Sequence, residues 1–346
     1  FKELGKAGFL SSETVYGNVQ LPLILAVVSI TVIISGFNSI HILLLNRKLI
    51  MGKLITIELF SQVIGLLFML IWAWYARDIW ALVCGGITSA SVKMILSHFL
   101  NIGDKCRFRW DKNAVHEIFH FGKWIFLASI LGFFLNQGDR VLLGGLVNPE
   151  ILGVYTIAFF LSNALKDVIS RLLSSVFFPL LSDVLRNSPD QVESVYYKIR
   201  FKIDMITMPV AGLLFSMGGL IVTLLYDARY ESAGWMLEVL SISIISIGFM
   251  LGDQLLLAYG KPKYASFMIL LQVVSLYIFV PLMFYYYGLT GAIWAIALNP
   301  MLKIFISMIV MKRTCFLVFH REIMLLPLMP IGYLIGEQLK IMFLYS

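Results

Sequence analysis

The chain has 346 residues, of which 60% are hydrophobic and 14% charged, with a formal net charge of +7 and a mean hydropathy of +0.88. Soluble domains carry roughly 45–50% apolar and about 25% charged residues, so this balance leaves too little polar surface for a water-soluble body. The 26 Phe, 15 Tyr and 7 Trp run through the whole length, which excludes a single anchor on a soluble domain, and the basic residues fall in short runs between apolar stretches, which argues against a nucleic-acid partner.

The sequence opens on Phe1, and residues 1–18 lack the charged-then-apolar layout of a signal peptide, so the chain is expected to begin inside a longer protein. Ten runs then have the length of about 20 apolar residues that a helix needs to cross the hydrocarbon core. They fall near 20–45, 54–76, 78–100, 121–146, 150–173, 203–226, 235–258, 264–287, 289–311 and 322–343. The last carries Pro327, Pro330, Glu337 and Lys340 and fits a tilted or interfacial segment as well as a crossing. The expected fold class is therefore an all-α integral membrane protein of about ten transmembrane helices.

If the runs cross alternately, the connections divide between two sides of very different charge. One side holds only Lys2, Lys6, Arg77, Arg229 and Lys340, and Lys93, Arg140 and Lys303 fall within spans; the rest of the 27 Lys and Arg, Lys166 and Arg200 among them, gather on the other. The positive-inside rule makes the crowded side cytoplasmic and places residues 1–18 in an outer-side loop. Residues 20–100, 101–120 and 121–346 then read as one helical block, a cytoplasmic linker and a second block. Trp72, Trp74, Tyr75 and Trp80 mark one membrane boundary, with Tyr285, Tyr286 and Tyr287, and Trp110 and Trp124 the other.

Charge within a span costs about 2.5–3.5 kcal/mol at the helix centre on insertion scales, so such a residue needs a partner or a watery cavity. Asn136-Gln137-Gly138-Asp139-Arg140 stands out, because Asn136 and Arg140 at i, i+4 give this helix a polar seam. A substrate cavity and a packing ion pair are the two readings. Asn299-Pro300-Met301-Leu302-Lys303 places a proline mid-span and a lysine one turn after Asn299, which suits either the broken helix of a transporter site or a kink with Lys303 snorkelling to the surface. Lys93, closer to a helix end, is expected to snorkel. Glu58, Asp204 and Asp253 lie near cytoplasmic helix ends, where water can reach them, and together with Asp139 are candidates for ion coupling.

His116-Glu117-Ile118-Phe119-His120 matches the H-E-x-x-H pattern of zinc hydrolases. Lys112, His116, His120 and Lys123 share its stripe, which puts ammonium groups where Zn²⁺ would sit, and no third ligand is evident. An amphipathic helix on the cytoplasmic leaflet explains the stretch better, with Lys112 and Lys123, and Arg107 and Arg109 just before, meeting anionic headgroups. Cys84, Cys106 and Cys315 are too scattered for a disulfide framework or thiolate site. No metal and no cofactor are expected.

Phe121-Gly122-Lys123-Trp124-Ile125-Phe126, then Asn136 to Gly144, then Leu152-Gly153-Val154-Tyr155 resemble the middle of bacterial polysaccharide flippases of the O-antigen and colanic-acid exporter type, members of the MOP superfamily. Phe177-Phe178-Pro179-Leu180, Leu256 to Pro262, Ile34 to Asn38 and Trp80 to Val83 extend the resemblance over nearly the whole chain. It implies a two-lobed transporter bundle in the bacterial inner membrane. It also implies a non-enzymatic cycle that flips undecaprenyl-pyrophosphate-linked oligosaccharide to the outer leaflet, with membrane lipid around it and a glycan polymerase or glycosyltransferase beside it. Members have about twelve to fourteen spans, so the resemblance implies an N-terminal lobe lacking roughly three helices. Within it, Arg140 is matched to a cavity cation that meets pyrophosphate, held by Asp139, while Asn136, Gln137, Asn299 and, by position alone, Lys303 complete the site. The alternatives are a multidrug exporter of the same superfamily, which needs an acidic cavity, and a membrane enzyme, either a zinc protease at His116 and His120 or a glycan polymerase. A polymerase would carry a long outer loop with Arg and His, which the sequence lacks.

Overall fold

The computed structural model describes residues 14–47, 51–99, 129–314, 321–322 and 324–345, together with Lys112, His116, Phe119 and Phe126. Arg107, Arg109, Glu117, His120 and Lys123 lie outside the described residues. Among those described, the structure is helical and has no strand. It divides into two compact units, residues 16–122 and residues 123–346, the second also taking in residues 13–15.

The first unit holds α1 (Leu21–Gly36), α2 (His41–Arg47), α3 (Met51–Tyr75) and α4 (Trp80–His98). The run expected as one span over 20–45 breaks into α1 and α2. The Phe37 and Asn38 N–H groups close α1 on the Ile34 and Ser35 carbonyls, and the buried Ser39 donates its N–H to Ser97 Oγ at 2.9 Å, tying the corner to the end of α4. Helices α3 and α4 meet through glycines: a Cβ on Gly65 would stand 2.7 Å from Ser89 Cβ and 2.8 Å from the Gly85 carbonyl. Without a hydrophobic force between helices in lipid, such small residues let backbones approach and dispersion hold them. Apolar side chains such as Ile55, Leu66 and Leu70 remain exposed, as suits helices whose solvent is hydrocarbon.

The second unit begins with a helical segment over residues 129–136 and continues through α5 (Gly138–Leu146), α6 (Pro149–Leu172), α7 (Phe178–Asn187), α8 (Val192–Leu225), α9 (Ala233–Ser241), α10 (Met250–Ala258), α11 (Pro262–Thr314) and α12 (Leu328–Tyr345). A single π-helical turn, Leu173–Phe177, joins α6 to α7. Helix α6 starts where its sequence instructs: Asn148 caps it, accepting the Ile151 N–H at 2.9 Å, with Pro149 in the first turn and Glu150 at the positive end of the dipole. Helix α11 is two arms, 262–287 and 289–314, reversing at Gly288 with φ 61°, a backbone conformation that glycine alone adopts without strain.

Six described helices are long and apolar enough to cross a membrane, one of them this hairpin. Its two arms, with α1, the 129–146 segment and α12, agree with about ten crossings. Helices α8 and α12 pack most closely where a Cβ on Gly212 would meet the Met329 backbone and one on Gly332 the Pro209 backbone.

Two expectations about helix continuity change. The run over 121–146 is interrupted at Gln137 (φ −122°, ψ 0°), because Asn136 Nδ2 bonds back to the Gly132 carbonyl at 2.9 Å and competes with the main-chain ladder. At Pro300 the helix stays continuous, its lost hydrogen bond absorbed without a break. The other interruption falls between α9 and α10, where Ile242–Ser246 tightens into a 3₁₀ turn and residues 247–249 form turns. Ser243 and Ser246 hydroxyls bond the carbonyls of Leu240 and Ser243 there, at 2.7 and 2.6 Å.

Candidate functional site

Two apolar clusters hold the second unit together. One gathers Leu143, Tyr155, Val222, Leu237 and Ile293; the other gathers Leu173, Leu181, Tyr196, Leu251 and Met311. On α6, across α9 and α10 and on the second arm of α11, residues between these clusters line a cavity of about 590 Å³, so it lies at mid-depth along those helices, where polar groups would otherwise face hydrocarbon.

Five of its walls are built from interruptions or polar stripes. The break at Gln137 brings Asn136, Gln137, Asp139 and Arg140 to the cavity. Gly138 permits this, since a Cβ there would sit 2.9 Å from Leu276 and 3.1 Å from the Tyr277 ring. Helix α6 contributes Asn163, Lys166, Asp167 and Ser170; the segment between α9 and α10 contributes Ser243, Ser246 and Phe249; and the two arms of α11 contribute Gln272, Asn299 and Lys303.

Arg140 is the pivot. Its Nη1 donates to Gln137 Oε1 at 3.0 Å and its guanidinium lies 4.8 Å from the Phe159 ring centroid, while its buried Nε has no hydrogen-bond partner. Most of its five donors are uncommitted. Asp139, matched by the resemblance to the group holding Arg140, instead accepts from the buried Tyr155 hydroxyl; Gln137 is what orients Arg140. Interrupting the helix at Gln137 is also what removes the regular i, i+4 seam expected between Asn136 and Arg140.

Lys303 lines the cavity and pairs with Asp253 at 2.5 Å rather than snorkelling, so Asp253 is engaged by an ammonium. Asn299 spends both amide hydrogens closing the arms of α11, on the Gln272 carbonyl at 3.0 Å and Ser275 Oγ at 2.7 Å. Glu58 belongs to the first unit, where Lys93, expected to snorkel, binds it at 2.7 Å. Asp204 is buried rather than water-facing and holds Arg200 at 2.6 Å.

Lys166 has no carboxylate at ion-pair distance among the described residues, and with Asn163 and Phe159 it was not singled out by sequence. The signal was present: 163, 166, 167 and 170 stand at i, i+3, i+4 and i+7, one helical face. Groups of three or more metal-ligating side chains are absent among the described residues.

Residues 7–234 match the family model described as "Polysaccharide biosynthesis protein". This chain belongs to that family. The teichuronic acid biosynthesis protein TuaB of Bacillus subtilis (strain 168) is 22% identical over 266 residues, 75% of this chain and 54% of the relative; the chain thus spans about half the length of that curated relative. Among solved structures, the lipid II flippase MurJ in an inward closed conformation superimposes with a TM-score of 0.58 at 11% identity, covering 83% of this chain and 68% of that one. The chain is thus a multi-pass inner-membrane protein, and its fold is similar to that of the MurJ structure.

Proposed function

We propose that the protein flips undecaprenyl-pyrophosphate-linked oligosaccharide from the cytoplasmic to the outer leaflet, supplying surface polysaccharide synthesis without catalysing a reaction. The observation that carries this reading is Arg140, a guanidinium at mid-depth in a cavity, bonded to Gln137 and with donors to spare. A pyrophosphate offers charged oxygens that a guanidinium meets in bidentate fashion. Lys166 supplies a second uncommitted cation, while Asn136, Asn163, Gln272, Ser243 and Ser246 offer the paired donors and acceptors that sugar hydroxyls require. The teichuronic acid relative and the lipid II flippase fold support a lipid-linked glycan as cargo.

A cation-coupled drug exporter would need free carboxylates. Of those at this site, Asp139 is occupied by Tyr155 and Asp253 by Lys303, which leaves Asp167. The decisive experiment is complementation with the full-length gene at matched membrane levels, scoring surface glycan and lipid-linked precursor. Wild type is expected to restore export, and Arg140→Ala to leave precursor in the inner leaflet, with partial recovery in Arg140→Lys. Normal export by Arg140→Ala would overturn the role given to this residue.

A further inference from the structure

A second cavity, of about 420 Å³, opens in the same unit between the start of α8 and Arg321, Met324 and Leu325. Its volume falls within the roughly 300–1,000 Å³ typical of ligand sites. Helix α8 has 34 residues, about 51 Å at 1.5 Å per residue, against a hydrocarbon core of about 30 Å. Its apolar run begins at Ile203, so the turns before it stand at headgroup level, at the end that the charge split assigns to the cytoplasm.

Lys198 and Lys202 line this cavity one turn apart, both exposed and neither holding an ion pair or hydrogen bond among the described residues. Arg321 is a third cation at the rim, stacked 5.3 Å from the Tyr197 ring centroid and 3.5 Å from Glu193. Phe201 and Met324 form an apolar floor that stays exposed, at 45% and 60%. Positions 198, 201, 202 and 205 share one face of α8, so the cationic lip leads directly onto lipid-exposed Met205. Arg200 beneath is spent on Asp204 and Glu322 and cannot serve a ligand.

We infer that this cavity is a binding site for an anionic phospholipid of the cytoplasmic leaflet, its phosphate between Lys198 and Lys202 and an acyl chain along Phe201. Cations alone would accept any phosphate. The exposed apolar floor continuous with the lipid-facing side of α8 selects an amphiphile, and basic pockets between helices on this side recognise anionic headgroups. The site is independent of the mid-depth cavity and of the substrate proposed for it.

The test uses the full-length protein in vesicles containing photoactivatable phosphatidylglycerol, with labelled peptides mapped. Labelling is expected at the peptide carrying Phe201 and Met205, competed by unlabelled phosphatidylglycerol but not by phosphatidylcholine or inorganic phosphate. Lys198→Ala/Lys202→Ala should lower it about twenty-five-fold, at roughly five-fold per lysine, while Lys198→Arg/Lys202→Arg keeps it and controls for folding. Equal labelling by a phosphatidylcholine probe would overturn the site as anion-selective. Competition by inorganic phosphate would reassign it to a soluble anion, and displacement by polyprenyl phosphate at far lower mole fraction would make it a substrate entry point instead.

Discussion

The guanidinium carbon of Arg200 lies 3.8 Å over the ring of Phe249, and Phe249 also lines the mid-depth cavity. Arg200 is 1% exposed and its remaining donors hold Asp204 at 2.6 Å and Glu322 at 2.8 Å. A buried ion cluster thus braces a cavity wall from behind, through one aromatic ring. Gly248 makes the approach possible, because a Cβ there would collide with the Asp204 carboxylate. Removing one partner of a buried pair leaves an uncompensated charge and costs about 3–5 kcal/mol. Arg200→Met is therefore expected to lower the thermal unfolding midpoint of purified protein sharply, whereas Phe249→Leu keeps the cluster and should alter export more than stability.

Gln137 orients Arg140 by a hydrogen bond to a charged group, a type of interaction worth about 1.5–3 kcal/mol. At this partly open site the lower end applies, so Gln137→Ala should reduce export up to roughly ten-fold at unchanged membrane level. Gln137→Glu, which keeps an acceptor and pairs Arg140 more tightly, should also reduce export by occupying the donors meant for substrate. Precursor accumulation in the two variants checks this; wild-type export in both would show that Arg140 needs no positioning.

Lys303 and Asp253 neutralise each other beside the cavity, which separates a packing role from a substrate role experimentally. Lys303→Met alone strands Asp253 and should lower membrane abundance, and Lys303→Met/Asp253→Leu should restore it. If Lys303 also meets substrate, the double variant will be abundant yet export-deficient; if it only neutralises Asp253, export will return with abundance.

Tyr155 is fully buried and donates to the buried Asp139. Tyr155→Phe leaves that carboxylate without its hydroxyl donor, at a cost of about 1–3 kcal/mol. The unfolding midpoint should fall, and Tyr155→Phe/Asp139→Asn should recover part of the loss because a neutral amide is less costly to bury than an unpaired carboxylate.

Membrane class, about ten crossings and the position of Asn136 to Arg140 and Lys303 within apolar runs were determined by the sequence alone. Each rests on local quantities: apolar run length against bilayer thickness, and the rarity of charge inside such runs. Within those runs helical periodicity is faint, since a helix solvated by lipid and protein is apolar nearly all round. That is why the face of α6 carrying Asn163, Lys166 and Asp167 was overlooked and Lys166 was counted with the cytoplasmic-side cations. Partners were decided only by tertiary structure. Arg200 meets Glu322 across 122 positions of sequence, and Lys303 meets Asp253 across 50; Asp139 turns to Tyr155 rather than to its neighbour Arg140. The helix break at Gln137 rather than at Pro300 belongs with these. A break requires surroundings that satisfy the freed backbone groups, and a cavity wall formed by four separate segments of chain provides them only once the chain has folded.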